Sequence, residues 1–354
     1  AELLEPVLGE PLIGGPQAGS WVHSVLEDVA FQPTNGRLLA KDGRPLDVLL
    51  TNAAHQHGVG GPHVDPDRCH HQVVKRLLPE WLSTPLSGPR LPSLRTGYSL
   101  SDLKPSDRID ELEFDLRLGG GHGGSTLNRT TRPKRDDALR ASLSTPSPAA
   151  QQATRAWLNR ILARERIAKS DSDPSIERVS VLPAVEGFLT GKIDLVFRIP
   201  QAGVESPTAT DYVYFLADYK TNSLAGTDRM KSANDGWGRV NDPARGGTRT
   251  PRLRRWHYTD PVMAWCMEHS AYHLQSLLYS VALDRFLQAR LGSAYNPDVH
   301  FGGHLYLFLR GMEGTSPTHD GTRHALGVWA DRWSPTTIRT FGAALTESPG
   351  GTHA

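Results

Sequence analysis

Apolar and polar positions along this chain change period several times, and each period predicts an element. Behind Gly19-Ser20, the residues Trp21, Val22, Val25, Leu26 and Val29 recur at helical spacing. They predict a helix to about Ala30. His23 and Glu27, four apart, fall together off that stripe. Val73, Val74, Leu77, Leu78, Trp81 and Leu82 predict a second helix, from about Asp67 to Leu82, which Pro79 is expected to kink or end early. Residues 36–67, rich in Gly, Pro and His, read as loop. From Ile109 to Leu118 the period shortens. Leu112, Phe114, Leu116 and Leu118 alternate with Glu111, Glu113, Asp115 and Arg117, the pattern of a half-buried strand.

Farther on, Val185–Ile199 and Tyr212–Tyr219 read as two strands joined by residues 200–210. Helical periodicity predicts helices over about Ala149–Lys169, Met263–Leu291 and Pro335–Leu345. His300–Arg310 reads as another strand. Two insertions interrupt the order: a Gly-, Arg- and Ser-rich stretch at about 119–148, and a long loop at about 232–256. Residues 347–354 are expected to fray. Helices first, then strands, a long helix and one more strand predict a mixed sheet flanked by helices. There is no internal repeat.

Composition narrows the picture. A chain of 354 residues holds one large domain or two smaller ones. An apolar share of 38%, with 34 Gly and 26 Pro, suits a folded core broken by polar insertions. Basic and acidic residues number 39 and 38, so a nucleic-acid partner would need a local basic patch. Cys69 and Cys266 are far apart, which fits a reducing, cytoplasmic setting and argues against a disulfide framework or a zinc ribbon. No apolar run approaches the roughly 18 residues of a membrane span. The opening Ala1-Glu2-Leu3-Leu4-Glu5 has no signal-peptide pattern and no initiator Met, so a fragment of a longer chain is expected. No Walker A loop is readable. Ser20 stands where the stretch from Gly14 would need Lys, and Gly187 to Lys192 is one residue short. His63, Cys69, His70 and His71 lack a standard zinc spacing and read as a surface cluster.

Candidate chemistry concentrates where two apolar strands carry charge. Asp194 interrupts Ile193-Asp194-Leu195-Val196-Phe197, and Asp218 and Lys220 end the run from Tyr212. A charge buried without a partner costs several kcal/mol, on the order of the penalties for uncompensated ions. Two readings stay open. One is a divalent cation held by both carboxylates, with the Tyr219 carbonyl as a further ligand and the lysine beside it. The other is a strand-end salt bridge of Lys220 with either acid. Gln275 and Tyr279, four apart on a later helix, align a polar amide with a phenol on one face.

Five segments, in order, resemble the C-terminal nuclease domain of RecB, the beta subunit of exodeoxyribonuclease V. They are Gly19-Ser-Trp-Val-His23, Gly187-Phe-Leu-Thr-Gly191-Lys-Ile-Asp194, Asp218-Tyr-Lys220-Thr-Asn222, Tyr272-His-Leu-Gln275-Ser-Leu-Leu-Tyr279 and Phe301–Gly311. Together they span about residues 19–311. The resemblance implies an α/β, restriction-endonuclease-like (PD-(D/E)xK) fold, a mixed central sheet flanked by helices with long loop insertions, as one domain over 1–354. It further implies a Mg²⁺-dependent DNase. His23, Asp194, Asp218 and the Tyr219 carbonyl would hold the metal, Lys220 would be the catalytic lysine, and Gln275 and Tyr279 would support the site. Glu111 and Glu113 resemble the family's acidic residues on the preceding strand, with no role assigned. Single-stranded DNA fed by a helicase, and RecC- and RecD-like subunits, would be the partners. The two insertions are longer than the resemblance leads one to expect. A catalytically inactive DNA-binding module and a stand-alone restriction or repair endonuclease are the competing functions. Trp237 and Trp256 flank an arginine-rich loop, an arrangement that suits single strands. Neutralising Arg239, Arg245, Arg249, Arg252, Arg254 and Arg255 is expected to lower the salt slope of DNA binding, measured by titration at several salt concentrations; an unchanged slope would remove that loop from the DNA path.

Overall fold

The stripe of α1 (Pro16–Asp28) is buried as its spacing requires: Trp21, Val22, Val25 and Leu26 are sealed from solvent. The computed structural model describes residues 2–59, 70–88, 90, 91, 94, 97–118, 187–225, 253–317 and 323–346. Both insertions, apart from Leu253, Arg254, Arg255 and Trp256, and the expected helix at 149–169 lie outside them. So do His63 and Cys69.

Residues 36–67 are not all loop. Leu46–Gln56 forms α2, which buries Leu46, Leu49, Leu50, Ala53 and Ala54. Those spacings are helical, but the surrounding Gly, Pro and His obscure them. α3 (His70–Ser83) runs straight through Pro79. A mid-helix proline costs about 3 kcal/mol. Trp81 and Leu82 beyond it are both buried, and each contributes about 1.5–3 kcal/mol. Burial outweighs the lost hydrogen bond.

The central sheet has five strands in the order β1-β2-β3-β4-β7. They are β1 (Arg108–Leu118), β2 (Gly187–Pro200), β3 (Tyr212–Lys220), β4 (Phe301–Phe308) and β7 (Val328–Asp331). β1, β2 and β3 are antiparallel neighbours, β3 and β4 are parallel, and β4 and β7 are antiparallel. A small hairpin, β5 (Thr315–Pro317) with β6 (Arg323–Ala325), precedes β7. The parallel pair requires a crossover. Within it lie α4 (Asp260–His269) and α5 (Tyr272–Leu291). The sequence suggests one helix there; Ala271, at φ 59°, breaks it in two. α6 (Pro297–His300) is a single turn, and α7 (Pro335–Thr346) closes the described chain.

α1, α2 and α3 cover one face of the sheet, on Leu195, Phe197, Phe215, Ala217, Leu305 and Leu307. α5 and α7 cover the other, on Ile193, Val196 and Leu216. α4 packs beside them on Tyr306, Phe308 and Trp329. β3 is therefore the middle strand of the sheet, between layers of helix. This is the mixed sheet flanked by helices that the resemblance implies. Among the described residues no helix is long and apolar enough to cross a membrane.

His304 on β4 is 1% exposed, and among the described residues neither ring nitrogen has a hydrogen-bond partner. Its ring stacks on Trp333. Burial first, then the charges of His273 and Arg90, push its pKa down to about 3. In the unfolded chain the ring takes up its proton near the ordinary value of about 6.5. Between those values the unfolded state binds more protons, so this residue costs stability as pH falls from 6.5 toward 3. His304→Phe is expected to recover about 2 kcal/mol of the loss between pH 7 and pH 5, on the scale of 1.36 kcal/mol per pKa unit. Urea denaturation of both proteins at the two pH values checks it.

Candidate active site

The two acidic strands part where their charges begin. The β2–β3 ladder ends at Leu195↔Ala217, one step before Asp194 would face Asp218. Asp194 Oδ2 instead accepts the Tyr219 N–H at 2.8 Å. On the other side of β2, Glu111 holds a left-handed backbone (φ 53°) between the pairs Asp110↔Leu195 and Leu112↔Ile193. A left-handed non-glycine residue costs about 1–2 kcal/mol. Asp194 is thus bordered by ladder irregularities on both sides. Side chains alternate along a strand, so Asp218 and Lys220 share the face of Leu216.

Asp218 is almost fully buried, its side chain 3% exposed. Lys220 Nζ contacts its Oδ2 as an ion pair, and Gln275 Nε2 donates to its Oδ1 at 3.2 Å. Desolvation, then the charge of Asp194, raises the Asp218 pKa to about 6; Lys220 and His23 pull the other way. His23 reaches over from α1. Its Nε2 lies 2.9 Å from the Tyr219 carbonyl, which accepts only, so this nitrogen carries the proton. Its Nδ1 is 3.4 Å from Asp194 Oδ1. Burial works against charge on the ring, but the hydrogen bond and charge of Asp194, with Asp218, outweigh it and the pKa is raised.

Gln275 is the junction of the far side. Its Oε1 accepts from Lys220 Nζ at 3.2 Å and from the Tyr306 hydroxyl at 3.0 Å. Its Nε2 also donates to the Tyr279 hydroxyl at 2.9 Å. Phe114 packs edge-on against Tyr279 and lies over Gly191, where any Cβ would strike its ring. Lys220 Nζ also sits 4.5 Å from the Tyr272 ring and 5.3 Å from Tyr306, and cations are attracted to such faces. Asn222 Nδ2 donates to the Tyr272 hydroxyl at 2.9 Å.

All seven residues singled out from the sequence therefore join one connected cluster: His23, Asp194, Asp218, Tyr219, Lys220, Gln275 and Tyr279. Both open readings of Lys220 meet here, since the salt bridge to Asp218 forms inside the same cluster. Two carboxylates, a carbonyl and an imidazole are donors of the kind that suit Mg²⁺ or Mn²⁺. Among the described residues, however, no three His, Cys, Asp or Glu side chains are disposed by themselves to hold a metal. One donor here is main chain, and Asp218 is turned onto Lys220.

Other expectations fare differently. Glu111 and Glu113 pair with exposed Lys192, at 2.7 and 3.4 Å. Arg255 is used internally, against Glu2, Glu5 and Glu313, and Arg254 donates to the Leu4 carbonyl. His71 packs on Trp21 rather than standing free at the surface. Tyr306 and Arg310 are contributors that sequence reading did not single out, because their partners are far away in the chain. Arg310 is 5% exposed, and among the described residues it pairs with no acid. It donates to the carbonyls of Thr221 at 2.8 Å, Gly9 at 3.2 Å and Ile13 at 2.9 Å. One side chain thus ties the end of β3 to the segment that leads into α1.

No family model matches the chain. Over 323 residues, 91% of its length, it is 32% identical to the RecB subunit of the RecBCD enzyme of Mycolicibacterium smegmatis. It is 30% identical over 342 residues, or 95%, to that of Mycobacterium tuberculosis, and 28% over 303 residues, or 86%, to that of Escherichia coli. The chain spans 23%, 24% and 17% of those three relatives. The resemblance read from five short motifs therefore extends across most of the chain. Arg310→Met is expected to destabilise the fold by about 3 kcal/mol, since each hydrogen bond from a charged donor contributes about 1.5–3 and the arginine's own burial offsets part of the sum. Chemical denaturation measures it.

Proposed function

We propose that this chain, RecB-like over most of its length, is a DNA-cleaving module that hydrolyses phosphodiester bonds with Mg²⁺. The observation that carries the reading is the buried carboxylate of Asp218, joined to Lys220 and placed where two strands part beside Asp194, His23 and the Tyr219 carbonyl. A carboxylate is rarely buried without reason, and perturbed acids gather at functional sites.

His23, Asp194, Asp218 and the Tyr219 carbonyl would hold the cation. When bound, such an ion polarises the phosphate and makes its water more acidic. The protein's own part is positioning and charge. Lys220 brings an ammonium to the same face as Asp218, where it offsets negative charge on a phosphate and orients a water. Gln275 keeps that ammonium and the acid in fixed relation, and Tyr279 braces Gln275. Asp194 holds the Tyr219 amide, and with it the carbonyl's strand end.

The relatives are named as subunits of the RecBCD enzyme. That name, taken with the motif resemblance, which implies the rest, supports RecC- and RecD-like partners, a single-stranded DNA substrate fed by a helicase, and a role in repair, recombination and degradation of DNA ends. The motor would lie outside this chain, which has no readable ATP loop. A cytoplasmic setting belongs to the same proposal, and Cys266, which forms no disulfide among the described residues, supports it. The Lys220–Asp218 ion pair favours one second reading, a DNA-binding module without catalysis.

Asp218→Ala and Lys220→Ala are each expected to lower Mg²⁺-dependent degradation of end-labelled DNA by about 100-fold or more, with DNA binding retained. Assays of single- and double-stranded substrates with Mg²⁺ or EDTA decide it. Cleavage that persists in both variants, or in EDTA, overturns the assignment.

A further inference from the structure

Asp218 is asked for twice. It is the ion partner of Lys220, and in the proposed reaction it would also hold the cation. Among the described residues Lys220 pairs with no other acid. An ammonium on a flexible four-carbon stem needs other contacts to stay in place once its acid serves a second charge. Gln275 Oε1 accepts from Nζ at 3.2 Å, but Gln275 is tied to the same acid through its Nε2. The aromatic contacts do not involve Asp218. Nζ lies over the Tyr272 ring, 4.5 Å from its centre, and 5.3 Å from that of Tyr306.

Tyr272, the nearer ring, is fixed from several sides. The left-handed Ala271 breaks the crossover helix, so α5 begins at Tyr272. Tyr272 and Gln275, three apart in the first turn of α5, share the face that meets Lys220. The Tyr272 ring stacks on Tyr306 at 5.3 Å, and its hydroxyl accepts from Asn222 Nδ2 at 2.9 Å. Asn222 stands two residues beyond Lys220, so the strand end that carries the lysine also clamps the ring. The Lys220 side chain is only 13% exposed, and a ring face attracts a cation more strongly where water is scarce. We propose that Tyr272 is a positioning residue whose ring face holds the Lys220 ammonium at the site when Asp218 is engaged elsewhere, with Asn222 holding the ring. The inference deepens the nuclease reading and rests on it only for its effect on rate.

The experiment separates the charge of the ring face from its shape. Tyr272→Phe and its pentafluorophenyl counterpart fill nearly the same space, but fluorination reverses the sign of the ring face, which then repels a cation. Both are placed in the Asp218→Ala background, where the ion partner is gone. Acylation of Lys220, which needs an amine released from the ring, is followed by peptide mass spectrometry. The fluorinated ring is expected to speed acylation at least about fivefold over Tyr272→Phe. Equal or slower acylation in the folded proteins overturns the inference, whether or not the protein cuts DNA. In cleavage assays with Asp218 intact, Tyr272→Leu is expected to lower kcat about tenfold with KM within about twofold, and Tyr272→Phe, which keeps the face, to recover most of that loss. The same kcat in both variants, lowered or not, also overturns it. If the wild type cleaves nothing, the nuclease reading fails, while the acylation rates still decide the role of Tyr272.

Discussion

The rest of the site is arranged around the desolvation of one carboxylate. Asp218 lies on the middle strand of the sheet with helices on both faces, where water cannot solvate it. A bare ion there would cost several kcal/mol, on the order found for buried charges. Lys220 supplies the opposite charge from two residues away, and Gln275 supplies a hydrogen bond from α5. Even so, burial keeps the acid's pKa raised, to about 6. That residual strain separates this cluster from an ordinary surface salt bridge, in which solvent would screen both partners.

Backbone irregularity keeps the cluster open on one side. Had the β2–β3 ladder continued past Leu195↔Ala217, the Tyr219 N–H would face a carbonyl across the sheet. It is bound by the Asp194 side chain instead. That exchange leaves the Tyr219 carbonyl for His23 and brings α1 to the strand end. Arg310 holds the same corner from below, through the carbonyls of Thr221, Gly9 and Ile13. Three segments distant in sequence meet there through main-chain acceptors, which any residue type carries.

Much of this was legible in order and type. The alternation of β1, the apolar runs of β2 and β3, and the stripes of α1 and α3 are local patterns, and the elements follow them. α2 was missed because an 11-residue helix among glycines and prolines has a weak signal. The break at Ala271 was missed because apolar spacing on its two sides reads as continuous. His23, Asp194, Asp218, Lys220, Gln275 and Tyr279 were readable because each is a polar residue at a fixed offset within an otherwise apolar or helical run.

By itself, then, the sequence determined which residues share a strand or a helix face, since periods of two and 3.6 are properties of neighbours in the chain. It also determined the likeness to RecB, which rests on residue identity. Only the tertiary structure decided that Asp218 is desolvated, that its ion partner is Lys220 rather than solvent, and that Tyr306 and Arg310 belong to the site. Burial depends on what packs from elsewhere, and hydrogen bonds between residues 31 and 301 positions apart leave no trace in local spacing.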